Sequence, residues 1–117
     1  MERDELVVAA LCAAWCSTCT EFRPAFDALA AQRPTVRFVW LDVEDDAELC
    51  GDVEVANFPT ILAFRGERIL HYGITVPLAG VVARLIDELA LRREGRQEVP
   101  EPVTALHHKL LARVHEQ

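Results

Sequence analysis

The chain has 117 residues, 51% hydrophobic and 26% charged, with 4 cysteines, 5 glycines and 6 prolines. One hydrophobic core serves a chain of this length, which excludes disorder as the main state and a disulfide-stapled scaffold. The net charge of −7 argues against nucleic acid and anionic membrane as partners, because their phosphates demand a basic face.

The N-terminus, Met1-Glu2-Arg3-Asp4-Glu5, is acidic, where a secretory signal wants a basic start. The apolar run from Leu6 to Trp15 is far shorter than the roughly 20 residues a membrane span needs. A cytoplasmic protein is therefore expected, in a compartment that keeps thiols reduced. There, a close cysteine pair suggests redox catalysis or metal binding.

The run Leu6 to Ala14 suits a strand buried on both faces, as in a parallel sheet. From Thr18 to Gln32 the period turns helical, with Phe22, Phe26 and Leu29 on one face and Pro24 inside. Val36 to Leu41 is rich in β-formers and reads as a second strand. The acidic stretch Asp42 to Glu48 lacks the ligand-and-glycine spacing of a calcium loop, so it reads as solvent-facing. A short helix over Asp45 to about Val53 is expected to start in it. Ile61–Arg65 and Arg68–Tyr72 flank Gly66 as a hairpin. Thr75 is expected to cap a helix, with Pro77 near its first turn, Leu78, Val81, Val82, Leu85 and Leu89 on its inner side, and Gly95 as its stop. The order β-α-β-α-β-β-α predicts an α/β domain with a mixed sheet. Residues 94–102 read as a polar linker after a domain spanning 1–93. Val103, Leu106, Leu110 and Val114 mark an amphipathic helix within 103–117.

Cys16-Ser17-Thr18-Cys19 lies where the buried strand meets a helix N-terminus. First-turn N–H groups have no helical partner, and the helix dipole adds positive charge. Both favour a thiolate at Cys16. Two intervening residues bring Cys19 within disulfide reach, one turn deeper. Cys16 is then the attacking thiol, and Cys19 resolves the mixed disulfide. The other reading is half of a zinc site, but zinc usually takes four N/S ligands and a second close pair is absent. Cys12 and Cys50 read as buried small hydrophobes. His107, His108 and His115 read as part of a solvated helix rather than as a metal site, since adjacent histidines face different ways.

These residues resemble the thioredoxin family. The resemblance rests on Trp15-Cys16-Ser17-Thr18-Cys19 after an apolar strand, on Pro24 in the following helix, and on Phe58-Pro59-Thr60 before Ile61-Leu62-Ala63-Phe64. Gly66 and Gly73 also match, and the likeness covers about Glu5 to Leu91. It implies a thioredoxin fold, a central mixed sheet flanked by helices. It implies Cys16 and Cys19 as catalytic residues, a cis Pro59 beside them, and a Phe58 backbone offered to the substrate chain. Trp15 and Gly73 join that substrate-binding set. It further implies disulfide-containing protein substrates, a thioredoxin-reductase-like electron donor, and no bound cofactor or metal.

The chain departs from the family in four places. The usual first strand and helix are missing, and an extra C-terminal helix either covers the surface they leave or docks a partner. The usual Gly-Pro between the cysteines is Ser17-Thr18, which loosens the turn and suggests a more oxidising couple. The family's buried Asp falls at Ala10, and its Lys partner falls at Trp40. Losing both is coherent, because losing one would strand a buried charge. The expected proton acceptor for Cys19 goes with them, so a resolving step that is slow, or served by water or another carboxylate, is expected. The function expected is reduction of protein disulfides by a Cys16/Cys19 couple through a mixed disulfide. The alternative is an interaction or assembly adaptor that keeps the fold with little or no turnover.

Overall fold

The computed structural model describes residues 5–92 and 94–115. Its sheet is built from β1 (Leu6–Cys12), β2 (Arg37–Asp42), β3 (Thr60–Arg65) and β4 (Arg68–Ile74). The spatial order is β2-β1-β3-β4, with β1 parallel to β2 and the other neighbours antiparallel. The helices are α1 (Ser17–Gln32), α2 (Ala47–Cys50), α3 (Ala79–Leu91) and α4 (Glu101–His115).

Every residue of the central strand β1 is buried. Side chains alternate across a strand, so β1 feeds two cores. Leu6, Val8 and Ala10 join Ile61, Ala63 and Leu70 on one face, covered by Phe22, Phe26 and Leu29 of α1 and by Val82, Ile86 and Leu89 of α3. Val7, Ala9 and Leu11 join Leu62 and Phe64 on the other, covered by Leu49 and Cys50 of α2 and by Val103, Leu106, Leu110 and Leu111 of α4. The continuous apolar run of β1 is thus explained by helices on both faces of the sheet.

The C-terminal helix is part of this packing. The segment leading to it lies on the outer edge of β4. The Gln97 N–H donates to Ile69 O at 2.8 Å, and its side-chain amide brackets the Tyr72 backbone at 2.8 and 3.2 Å. His107, expected in solvent, is only 1% exposed: it lies edge-on to Phe64, with Nε2 2.8 Å from Gly66 O. His108 is exposed, and the His115 side chain lies outside the described residues.

Several helix boundaries differ from expectation, and α4 begins at Glu101, inside the stretch 94–102 read as linker. The third helix starts at Ala79 with Leu78 as N-cap and no capping side chain. Thr75 is held elsewhere: its N–H donates to Pro59 O at 3.1 Å and its hydroxyl to Val76 O at 3.3 Å. Its inner face is Val82, Ile86 and Leu89, and Leu78 and Val81, expected on that face, are exposed. That helix ends at Leu91, ahead of Gly95, where the Arg65 guanidinium donates to the carbonyls of Ala90 (2.6 Å) and Arg92 (3.1 Å). A cation on last-turn carbonyls satisfies acceptors the helix cannot. The second helix is a single turn, because Asp42, Asp45 and Asp46 build turns before it, and it closes at Gly51 with φ +59°.

Candidate active site

The C-terminal end of β1, the first turn of α1, the loop before β3 and the end of β4 lie at one end of the sheet. After Cys12 the chain turns through Ala14 and Trp15, closed by the Cys16 N–H donating to Ala13 O at 3.0 Å. Cys16 is the N-cap residue of α1, in extended conformation, and no side chain caps that end. It is a free thiol and partly exposed, whereas Cys19, one turn into the helix, is only 1% exposed.

The structure pairs Cys19 with Cys12. The two form a disulfide with Cα atoms 5.8 Å apart, within the usual span for such a bridge. Cys12 is therefore not the free packing residue expected from the sequence, although it is as buried as one. The reason is positional: β1 ends directly beneath the first turn of α1, so a residue at the strand's last position faces the buried side of that turn. No spacing rule for close cysteines points to this pair, seven residues apart across a loop. Cys50 is free and buried in α2, and burial first, then Asp46 and Asp42, push its thiol up, away from reactivity.

Besides Trp15, the remaining residues singled out in the sequence for substrate binding lie in the loop before β3 and at the end of β4. The Phe58–Pro59 peptide bond is cis, and Pro59 is buried. Phe58 meets Trp15 edge-to-face at 5.5 Å. Trp15 is 68% exposed, and Ile74 and Val76 at the end of β4 are also exposed apolar side chains. Gly73 lies opposite Ile61 in the hairpin register, two residues before the Thr75–Pro59 hydrogen bond.

Beside Cys19 lies a cleft of about 620 Å³ lined by Cys19, Arg23, Trp40, Asp42, Asp45 and Asp46 among others. Asp42, read from the sequence as solvent-facing, is buried. Its carboxylate accepts the N–H groups of Glu44 (2.8 Å) and Asp45 (2.9 Å). The Asp45 N–H above all, with those of Glu44 and Ala14, holds this carboxyl below the usual carboxylate range. The same residue thereby ties the start of α2 to the loop that carries Trp15 and Cys16. Among the described residues, no three His, Cys, Asp or Glu side chains converge as a metal site. No described helix is long and apolar enough to cross a membrane.

Comparison with known proteins agrees with this architecture. The thioredoxin family model matches residues 1–85. A thioredoxin of Echinococcus granulosus is 34% identical over 78 residues, covering 67% of this chain and 73% of that protein. Mouse thioredoxin domain-containing protein 2 is 31% identical over 86 residues, 74% of this chain but only 16% of that much longer protein. Among solved structures, Fasciola hepatica thioredoxin superposes with a TM-score of 0.65 at 24% identity, covering 73% of this chain and 81% of that one. Trypanosoma brucei brucei thioredoxin gives a TM-score of 0.64 at 24% identity, covering 74% and 76%. At that identity the structural likeness speaks to the fold. The chain belongs to the thioredoxin family, with a mixed four-stranded sheet flanked by helices.

Proposed function

We propose that this chain is a thiol–disulfide oxidoreductase that reduces disulfides in protein substrates. Cys16 attacks one substrate sulfur, a mixed disulfide forms, and the second substrate sulfur leaves as a thiol. Cys19 then attacks Cys16 Sγ, releasing the first substrate sulfur and leaving Cys16–Cys19 oxidised. The observation that carries this reading is the partly exposed Cys16 at the N-terminus of α1, with Cys19 buried one turn deeper. The apolar surface of Trp15, Phe58 and Ile74 beside it fits an unfolded or extended substrate segment. Water in the cleft, or one of the carboxylates Asp42, Asp45 and Asp46 that line it, takes the Cys19 proton. The chemistry needs no bound cofactor. A thioredoxin-reductase-like donor restores the dithiol, and a cytoplasmic setting suits that supply of electrons.

The Cys12–Cys19 bond favours a second reading as well. With Cys19 engaged, a mixed disulfide at Cys16 has no resolving thiol, and the chain would hold its partner as an adaptor. Insulin reduction with dithiothreitol separates the two. The enzyme reduces insulin well above background and loses this activity in Cys16→Ser, whereas the adaptor stays at background in both proteins.

A further inference from the structure

We propose that Cys12 is a third redox thiol, which draws the disulfide from the exposed Cys16–Cys19 position into the buried Cys12–Cys19 position. This rests on the reading of Cys16 and Cys19 as the substrate couple. Cys19 is the shared sulfur. It lies between Cys12, to which it is bonded at a Cα separation of 5.8 Å, and Cys16, one helical turn back.

The exchange balances without any added oxidant. Reduction of a substrate leaves Cys16–Cys19 oxidised and Cys12 a thiol. The Cys12 thiolate attacks Cys19 Sγ, the Cys16–Cys19 bond breaks, and Cys16 leaves as thiolate, accepting the proton that Cys12 gave up. One disulfide and one thiol go in, and one disulfide and one thiol come out. A sulfur at a helix N-terminus is a good leaving group, because the helix dipole favours its anion.

The consequence is protection. Cys12 and Cys19 are each 1% exposed, so an external reductant does not reach their bond directly. Cys16 is the only partly exposed cysteine of the three. Re-reduction therefore runs backwards through it: Cys16 attacks Cys19 Sγ, frees Cys12, and presents Cys16–Cys19 to the donor. The oxidised protein is stored with its exposed sulfur as a thiol.

Disulfide mapping tests this. Reduced full-length protein is oxidised in separate arms with diamide and with insulin, quenched in acid, alkylated under denaturing conditions and cut with chymotrypsin. Cleavage after Trp15 separates Cys12 from the segment holding Cys16 and Cys19. The expected product is a Cys12–Cys19 cross-link between two peptides, with Cys16 alkylated. A Cys16–Cys19 loop within one peptide, with Cys12 alkylated, overturns the proposal while leaving the substrate couple intact. Failure to reduce insulin, with Cys12–Cys19 formed by diamide alone, removes the substrate couple and with it the entry step of the relay. Reduction kinetics with dithiothreitol supply a second readout. Oxidised Cys12→Ala, checked for folding by circular dichroism, is expected to be reduced faster than the oxidised wild type. Diamide-oxidised Cys16→Ser is expected to be reduced more slowly than either. Equal rates in all three proteins overturn the gateway role of Cys16.

Discussion

Ala10 of β1 and Trp40 of β2 are register partners in the parallel pair, and Ala10 is fully buried. The Trp40 ring packs 5.3 Å from Phe26 and 6.2 Å from Phe22, and the Arg23 guanidinium lies 4.6 Å over its face. Where the family resemblance implies an acid and a lysine, an apolar and aromatic layer stands instead. Ala10→Asp places a carboxylate in that layer, where the lysine of the family pair is absent and the nearby Arg23 guanidinium is stacked on the Trp40 ring. A buried charge without a partner costs about 3–5 kcal/mol, and urea unfolding is expected to show a loss of that size. A loss below about 1 kcal/mol would mean that water or a proton reaches Ala10, contrary to its burial.

Trp15 is an exposed aromatic whose ring contact is with Phe58. Trp15→Ala is expected to change stability by no more than about 0.5 kcal/mol, as for surface sites. Insulin reduction should fall through a raised KM with kcat little changed, because contact area for substrate is lost and the sulfurs are untouched. A fall in kcat alone would place Trp15 in the chemistry rather than in binding.

The docking of α4 is open to a simple test. Leu106 is 1% exposed, among Val7, Leu62 and Phe64 of the sheet core. Leu106→Ala is expected to cost about 2–5 kcal/mol, the range for a buried leucine. A chain ending at Pro100 should unfold at lower urea still, since it uncovers one face of the sheet. If either variant matched the wild type, α4 would be an appendage.

The pH dependence follows from His107. Burial holds its imidazole below the ordinary histidine range, against the Gly66 carbonyl and Glu67 and with the help of His108. Burial also lowers His71, with Arg92 adding to it and Glu88 opposing. A group that is harder to protonate when folded contributes stability that is complete above its unfolded value of about 6.5. That stability is lost as pH falls below this value, because the unfolded chain takes up protons the folded one refuses. The melting temperature should therefore drop between about pH 7.5 and pH 5.5. His107→Leu should flatten part of that slope, with His71 keeping the rest. A slope unchanged in His107→Leu would take His107 out of the account.

Much of the architecture was legible before folding. The apolar run of β1, the 3.6-residue spacing of Phe22, Phe26 and Leu29, and the Gly66 hairpin are local signals, written in consecutive residues. So was the placement of Cys16 and Cys19 at a strand-to-helix junction. The start of α3 was not legible, because Thr75 is tied to the Pro59 carbonyl across the site and Leu78 takes the N-cap position. Nor was its end, because the Arg65 side chain that meets its last carbonyls comes from β3.

The sequence by itself determined that two cysteines stand one helical turn apart at a helix N-terminus, since that spacing and its flanking strand are properties of the local chain. Only the tertiary structure decided what the other cysteines do. Cys12 meets Cys19 because the last residue of β1 lies beneath the first turn of α1, while Cys50 is sealed in α2 with no sulfur bonded to it. Likewise, the apolar face of α4 was visible as a pattern, but its seat against Val7, Leu62 and Phe64 was not. Periodicity says that a face must be buried, and only the assembled sheet says against what.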